Sequence, residues 1–229
     1  PFIFRAFRSG RAAFPATPLE PIRSELFSVE RLESHAESLA AAQAVIDHPS
    51  AGRPISTRLS ENAKVLTTAY RIIAEATHGG RPMSPAAEWL LDNFHVVEEQ
   101  IREIKTDLPP RFYHELPKLA GGHLQGYPRV FGLAWAFVAH ADSRFDLQTL
   151  VRFVCAYQRV QPLTIGELWA IAITLRIILV ENLRRLAEAI VRNLQSKSDL
   201  GAPALLDTLV RPNQEQTLYQ PMGLALSED

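Results

Sequence analysis

The sequence is poor in the residues that mark many functional classes. It contains one cysteine in 229 residues, so no intramolecular disulfide can form and nothing indicates an oxidising compartment. Neither sign of charge is in excess, because 24 Lys and Arg residues stand against 25 Asp and Glu residues. This balance gives no argument for nucleic acid as a partner and none for an anionic membrane.

The chain also lacks the short motifs of several enzyme classes. It has no G-x-G-x-x-G, no Walker loop and no G-x-S-x-G elbow. Its best candidate for a membrane span, LWAIAITLRIILV at 168–180, is shorter than the about 20 residues that a span needs and contains Arg176. We therefore predict a core helix for this run, and we predict no catalytic residue, no metal site and no cofactor.

Signals for α-helices dominate what is present. Apolar residues recur at helical spacing along most of the chain, and no segment shows convincing β-strand alternation. TIGE at 164–167 fits a capping box, and the helix that it opens is expected to run near 165–195. The sequence predicts an all-α helical bundle of about six or seven helices. Helix N-caps are predicted at Ser28, Ser60, Ser84, Asp146 and Thr164.

The organisation along the chain follows from where these signals start and stop. We predict an N-terminal arm at 1–18, a helical domain at 19–196, and a C-terminal tail or linker at 197–229 with one short helix near 203–210. The arm alternates aromatic residues with arginines. Because the first residue is Pro1 and not Met, we expect a fragment or a processed form of a longer chain.

The stretch DNFHVVEEQIREI at 92–104 is the most reaction-like part of the chain. When residues 88–108 are placed on a helix, the apolar stripe consists of Leu90, Phe94, Val97, Ile101, Ile104 and Leu108. The opposite side carries Glu88, Asp92, His95, Glu99 and Arg102, which we call the α3 polar face, where α3 is the third predicted helix, from 85 to about 108. An amphipathic helix places such a face in water or against a partner. Acid/base or metal chemistry through His95 and Glu99 is the alternative. A di-metal bundle would need the motif Glu-x-x-His on two helices, whereas this chain has one His95-x-x-Glu98, in the reverse order.

Three further predictions concern burial. Arg176 lies in the apolar first half of the long helix, so we expect a buried guanidinium whose partner comes from another helix or loop. The second half, from 181, keeps one apolar stripe and is expected to emerge onto the surface. Cys155, within VRFVCAY, is expected to be a buried structural thiol.

Aromatic residues and a glycine-rich loop suggest a possible carbohydrate site. The loop LAGGHLQGYP at 119–128 places His123 between glycines, which lets a ligand approach the backbone closely. The candidate glycan contacts are Trp89, Tyr113, His123, Tyr127 and Trp135. For the three tryptophans, Trp89, Trp135 and Trp169, core packing is favoured over a sugar-stacking platform, because each lies in a helix with apolar neighbours.

Three segments carry a resemblance to a known family. They are AAEWLLDNFHVVEEQIREIKTDLPPRFYHELPKL, GYPRVFGLAWAFVAHADSRFD and YQRVQPLTIGELWAIAITLRIILVENLRRLAEAIV. Over roughly 20–195 the chain resembles the N-terminal region of bacterial cyclic β-1,2-glucan synthases, which are large inner-membrane proteins. The resemblance implies a parent reaction that polymerises glucose from UDP-glucose. The chain has no D-x-D motif and no R/Q-x-x-R-W motif, so no catalytic residue of the family is carried over.

Two functions follow from the resemblance and the residues together. The first is a non-catalytic helical module that docks on the transferase or membrane region of the same polypeptide, at the cytoplasmic side of the inner membrane, while being soluble itself. Its expected contact surfaces are the α3 polar face and the basic segment ENLRRL at 181–186. The alternative is a carbohydrate-binding module with β-1,2-glucan as its ligand.

Overall fold

Seven α-helices and one very short antiparallel ladder make up the described part of the chain, which covers residues 20–47, 52–107, 110–141 and 145–199 of a computed structural model. The all-α prediction is confirmed. The predicted arm and the helix near 203–210 lie outside the described residues. The helices are α1 Val29–Ala42, α2 Ile55–His78, α3 Pro85–Asp107, α4 Pro110–Glu115, α5 Arg129–His140, α6 Leu147–Val160 and α7 Ile165–Asp199; the strands are β1 Val45–Ile46 and β2 Lys118–Leu119.

The long helix α7 is the centre of the packing. Helices α2, α3 and α5 all contact it, α2 also contacts α3, and α1 packs mainly on α6. Helix α5 is buried on nearly every side, as its almost wholly apolar sequence predicts. The core therefore lies between α7, α5 and α2, with α1 and α6 forming an outer pair.

Local capping signals place most helix starts correctly. The Ser28 hydroxyl accepts from the Arg31 amide at 3.3 Å, and the Asp146 carboxylate accepts from the Thr149 amide at 2.8 Å. The capping box at the start of α7 also forms, since the Thr164 amide donates to Glu167 at 2.9 Å and the Glu167 amide donates to Thr164 at 3.2 Å. These bonds satisfy amides that a helix end leaves unpaired.

Two helix boundaries differ from the prediction. Helix α1 ends at Ala42 and not near Ile46, because Val45 and Ile46 pair with Leu119 and Lys118 in the antiparallel ladder. Helix α2 begins at Ile55 and not after a Ser60 cap. The Ile55 side chain is 1% exposed, so burial extends the helix by a turn and a half upstream of the residue with the best capping chemistry.

The expected course of α7 is wrong. One side of its first turns is exposed, with Ile165 at 76% and Trp169 at 79%, whereas its second half is mostly buried. The sequence hides this because the buried half contains charges that are neutralised at close range. The buried polar residues there are Glu181, Asn182, Arg184, Arg185 and Glu188. The segment 181–186 is therefore largely interior and cannot serve as the predicted contact surface.

Helix α3 follows its predicted pattern. Leu90, Phe94, Val97, Ile101 and Ile104 are buried, and Leu108 lies outside the described residues. Among the residues that the structure describes, no helix combines the length and apolarity that crossing a membrane would require.

An ion pair between α5 and α7 is sealed inside the bundle. Arg129 donates to both Glu167 oxygens, through Nε at 2.8 Å and through Nη2 at 2.5 Å, and Nη2 also donates to the Pro162 carbonyl at 3.1 Å. The two side chains are 5% and 0% exposed. Glu167 thus closes the cap of α7 and neutralises Arg129 at the same time.

We expect Glu167→Ala to destabilise the protein by ~3–5 kcal/mol, because it leaves Arg129 charged, buried and unpaired. The free energy of unfolding from chemical denaturation measures this. Glu99→Ala is the matched control, because it removes a carboxylate from an exposed pair and should change the free energy by less than ~0.5 kcal/mol. Equal effects of the two variants would refute a structural role for the buried pair.

Candidate functional site

Glu181 of α7 links this helix to α2. Its two oxygens accept hydrogen bonds from Nε and Nη2 of Arg58 on α2, and Oε1 also accepts from Arg185 at 2.8 Å. Burial alone would raise the pKa of the Glu181 carboxyl, but the hydrogen bonds and charges of Arg58 and Arg185 outweigh it and lower the pKa. The carboxylate therefore stays ionised while it is 1% exposed.

The two arginines lie against aromatic rings at one side of α5. The Arg185 guanidinium carbon is 4.9 Å from the Trp135 ring centre, and that of Arg58 is 5.3 Å from the Tyr127 ring and 5.6 Å from the Phe131 ring. These distances lie within the range of cation–π attraction. The Tyr127 hydroxyl also accepts from Arg58 at 3.1 Å. The network therefore fixes the Trp135 side chain on α5.

A hollow of about 320 Å³ opens beside Trp135, and we call it the His123 hollow. Its other walls come from the end of α1, from Gly132 on α5 and from the turn around Gly122, whose φ of 80° favours glycine. The His123 and Trp135 rings are 5.9 Å apart at an interplanar angle of 70°. Polar and aromatic groups thus meet in one concave surface, which is the usual composition of a small-molecule site.

Gln43 supplies an amide to the same hollow. Its Oε1 accepts from the Tyr157 hydroxyl at 2.8 Å, which fixes the orientation of the amide. A Cβ at Gly132 would lie 3.0 Å from Gln43 Nε2, so the glycine lets the amide come close to α5. Partial burial lowers the pKa of His123, and the nearby charges of Arg58 and Arg185 lower it further. The imidazole is therefore neutral at pH 7 and offers one donor and one acceptor.

The structure separates the five predicted glycan contacts. His123 and Trp135 line one hollow, and Tyr127 is buried beneath them against Arg58. Tyr113 is buried at a different hollow. Trp89 lies on α3 and is 54% exposed. It is therefore not in the core, and it does not share a surface with the other four residues. Binding of a glycan at any of these positions stays a prediction.

The α3 polar face is exposed throughout, at Glu88, Asp92, His95, Glu99 and Arg102. On this face Arg102 and Glu99 form an ion pair at 4.0 Å, and both side chains are more than half exposed. Such a pair contributes little to stability. Within the described ranges, no cluster of three or more His, Cys, Asp or Glu side chains could hold a metal ion.

Sequence reasoning missed a large apolar surface on α6 and α7. A groove of about 490 Å³ runs between these helices, and a second hollow of about 200 Å³ continues it between α7 and α3. Arg176 and Leu179 line both, so the two form one continuous surface, which we call the apolar groove. The outward apolar side chains around it include Phe145, Val151, Leu168, Trp89 and Val96, each 38–54% exposed.

Three predictions of burial fail on α6 and α7. The Arg176 side chain is 45% exposed, although its partners do come from another helix, namely Glu103 at 3.6 Å and Asp107 at 3.7 Å on α3. Cys155 is exposed and lines the groove. Trp169, predicted to lie in the core, is also exposed. In each case the apolar neighbours in sequence reflect an uncovered apolar surface and not the interior.

Comparison with known proteins identifies a relative. The chain is 38% identical over 197 residues, or 86% of its length, to the cyclic beta-(1,2)-glucan synthase NdvB of Rhizobium meliloti. The chain is a relative of cyclic β-(1,2)-glucan synthase. The resemblance stated from the sequence is thereby confirmed. The chain spans 7% of the length of NdvB. No protein-family model matches it.

Cys155 offers a direct measurement of the apolar groove. We expect its thiol to react with Ellman's reagent in the native protein without denaturant, because the side chain is exposed. The released chromophore should amount to one thiol per chain, and Cys155→Ala should give none. A thiol that reacts only after denaturation would show that the groove is closed in solution.

Proposed function

We propose that the chain is a non-catalytic helical module of a cyclic β-1,2-glucan synthase, which docks on the transferase or membrane region of the same polypeptide. In this proposal the module lies at the cytoplasmic side of the inner membrane. The observation that carries the proposal is the apolar groove, since a contiguous exposed apolar surface on a folded protein marks an interaction site.

The geometry of the apolar groove suits a helix as its occupant. The lining residues stand on two adjacent helices, with Leu150, Val151 and Val154 on α6 and Leu168 and Leu175 on α7. An apolar groove lined by side chains of two helices can receive the apolar side of an amphipathic helix. The bound helix would then cover the exposed face of α7, whose other face already packs against α2, α3 and α5.

Charges next to the apolar groove would orient the bound segment. Arg176 lies where its two parts meet, paired loosely with Glu103 and Asp107. The α3 polar face adjoins Trp89 and Val96 along the same helix. Charged residues around an apolar centre set the rate and specificity of association more than its affinity.

A pair of substitutions on α7 tests the docking proposal. Leu168→Glu places a charge in the apolar groove, whereas Leu186→Glu places the same charge at a position on α7 that is 43% exposed and lines neither part of the groove. We expect the first variant to weaken binding at least tenfold and the second to leave it within about threefold, since buried unpaired charge is costly and exposed charge is not.

Binding is measured by pull-down and by titration against a cyclic glucan synthase from which the matching 197 residues have been deleted. Addition of the chain to the deleted synthase should also restore glucan synthesis. No binding by the unmodified chain, together with full synthase activity after the deletion, would refute the docking role.

Carbohydrate binding is a second candidate function, favoured by the His123 hollow. Its volume of about 320 Å³ lies in the range of small-molecule sites. It combines one aromatic ring, a neutral imidazole and an oriented amide, which suit the C–H faces and hydroxyl groups of a sugar. The ligand proposed for it is a β-1,2-glucan.

Histidine substitutions test the second candidate. Trp135 fluorescence, followed in the Trp89→Phe/Trp169→Phe background, should change saturably with linear β-1,2-gluco-oligosaccharides at about millimolar concentration, equivalent to ~4 kcal/mol. His123→Ala should weaken this binding at least fivefold, because it removes a wall of the hollow. His95→Ala, an exposed histidine on α3, should leave it unchanged. No change in Trp135 fluorescence at millimolar oligosaccharide would refute carbohydrate binding in the His123 hollow.

A further inference from the structure

A lysine is buried without a carboxylate partner near the start of α2. The Lys118 residue is 2% exposed, and its ammonium donates to the Tyr113 carbonyl at 2.6 Å. Among the described residues, no Asp or Glu forms an ion pair with it. Burial without a counter-charge lowers the pKa of Lys118 to about 8. An isolated ammonium in the interior is costly, so a charge from elsewhere is expected to compensate it.

A hollow of about 160 Å³ beside this lysine is also lined by an arginine, and we call it the Lys118 hollow. Arg53 and Lys118 both line it, and Arg53 forms no ion pair with another described residue. The volume is below the range of drug-sized pockets, so it suits a small anionic group or one end of a larger ligand.

The start of α2 points a second kind of positive charge at the same place. The N-cap residue is Pro54, which makes no side-chain capping hydrogen bond, and Ile55 and Ser56 of the first turn line the hollow. The first amides of a helix are unpaired unless capped, and with the helix dipole they attract anions. The helix is 24 residues long, so its dipole is fully developed.

Tyr113 adds an unsatisfied polar atom to the Lys118 hollow. The residue is 6% exposed and lines the hollow, and its hydroxyl has no hydrogen-bond partner among the described residues. A buried hydroxyl without a partner is rare and points to a missing ligand or water. The residues that carry a buried ammonium, an uncapped helix start and an unpaired hydroxyl therefore all line one small volume.

We propose that the Lys118 hollow binds a phosphate group, held by Lys118, Arg53 and the first amides of α2. Phosphate fits better than a single halide ion because its several oxygens can accept from an ammonium, a guanidinium and backbone amides together. The hollow shares no lining residue with the apolar groove or the His123 hollow, so this proposal is independent of the proposed function.

Titration of the whole chain with inorganic phosphate tests the proposal at constant ionic strength. The backbone amide signals of Ser56 and Thr57 are followed by NMR and should shift saturably, with half-saturation at or below the millimolar range. Glycerol 3-phosphate forms a second arm: tighter binding of the ester than of the free ion would identify an esterified ligand, and equal or weaker binding would identify the free ion.

Lys118→Met keeps the length of the side chain and removes its charge, and we expect it to weaken phosphate binding at least tenfold. Arg53→Gln, at an exposed position, should weaken it at least threefold, which keeps the proposal testable where the lysine variant fails to fold. The matched controls are Lys64→Met and Arg81→Gln, both exposed, and each should change binding by less than twofold. Absence of saturation, or equal loss in the controls, would overturn the proposal.

Discussion

The carboxylate of Glu181 holds the interior of this bundle together. It is 1% exposed and accepts hydrogen bonds from two guanidinium groups, one from α2 and one from the next turn of α7. Removal of Glu181 would leave both arginines without their shared counter-charge, and an uncompensated buried charge is among the largest single costs in a folded protein. The rotation of α7 about its axis is fixed by this requirement, and the two arginines in turn fix Trp135 and the shape of the His123 hollow.

What could be predicted from the sequence was what neighbouring residues determine. Ser28, Asp146 and the Thr164–Glu167 box form caps within three residues, so their chemistry is visible in a short window. The stripe of α3 was correct for the same reason. The predicted course of α7 was wrong because Glu181 pairs with Arg58, which is 123 residues away in the sequence. Sequence patterns place a charged residue on the surface when its partner is distant in the sequence and cannot be identified.

The candidate sites show the same limit. Aromatic residues were grouped by type, but Tyr113 and Trp89 lie apart from His123 and Trp135, because only tertiary packing decides which rings share a hollow. No sequence pattern predicted the Lys118 hollow, because a single lysine beside a glycine-rich loop is typical of a residue in contact with solvent. An apolar sequence around Cys155 indicated burial, yet an apolar helix face is equally consistent with a surface that awaits a partner.

The inside-out character of α7 connects its stability to its proposed role. A turn of the helix about its axis could bury Ile165 and Leu168, each worth ~1.5–3 kcal/mol. The same turn would break the pairs of Glu167 and Glu181, and loss of a buried partner costs ~3–5 kcal/mol for each pair. The ion pairs therefore win, and rotation of α7 within the described helices cannot remove the apolar groove. In the proposed docking role a partner surface covers this groove, so the proposal rests on the groove more than on the charge pattern of the α3 polar face.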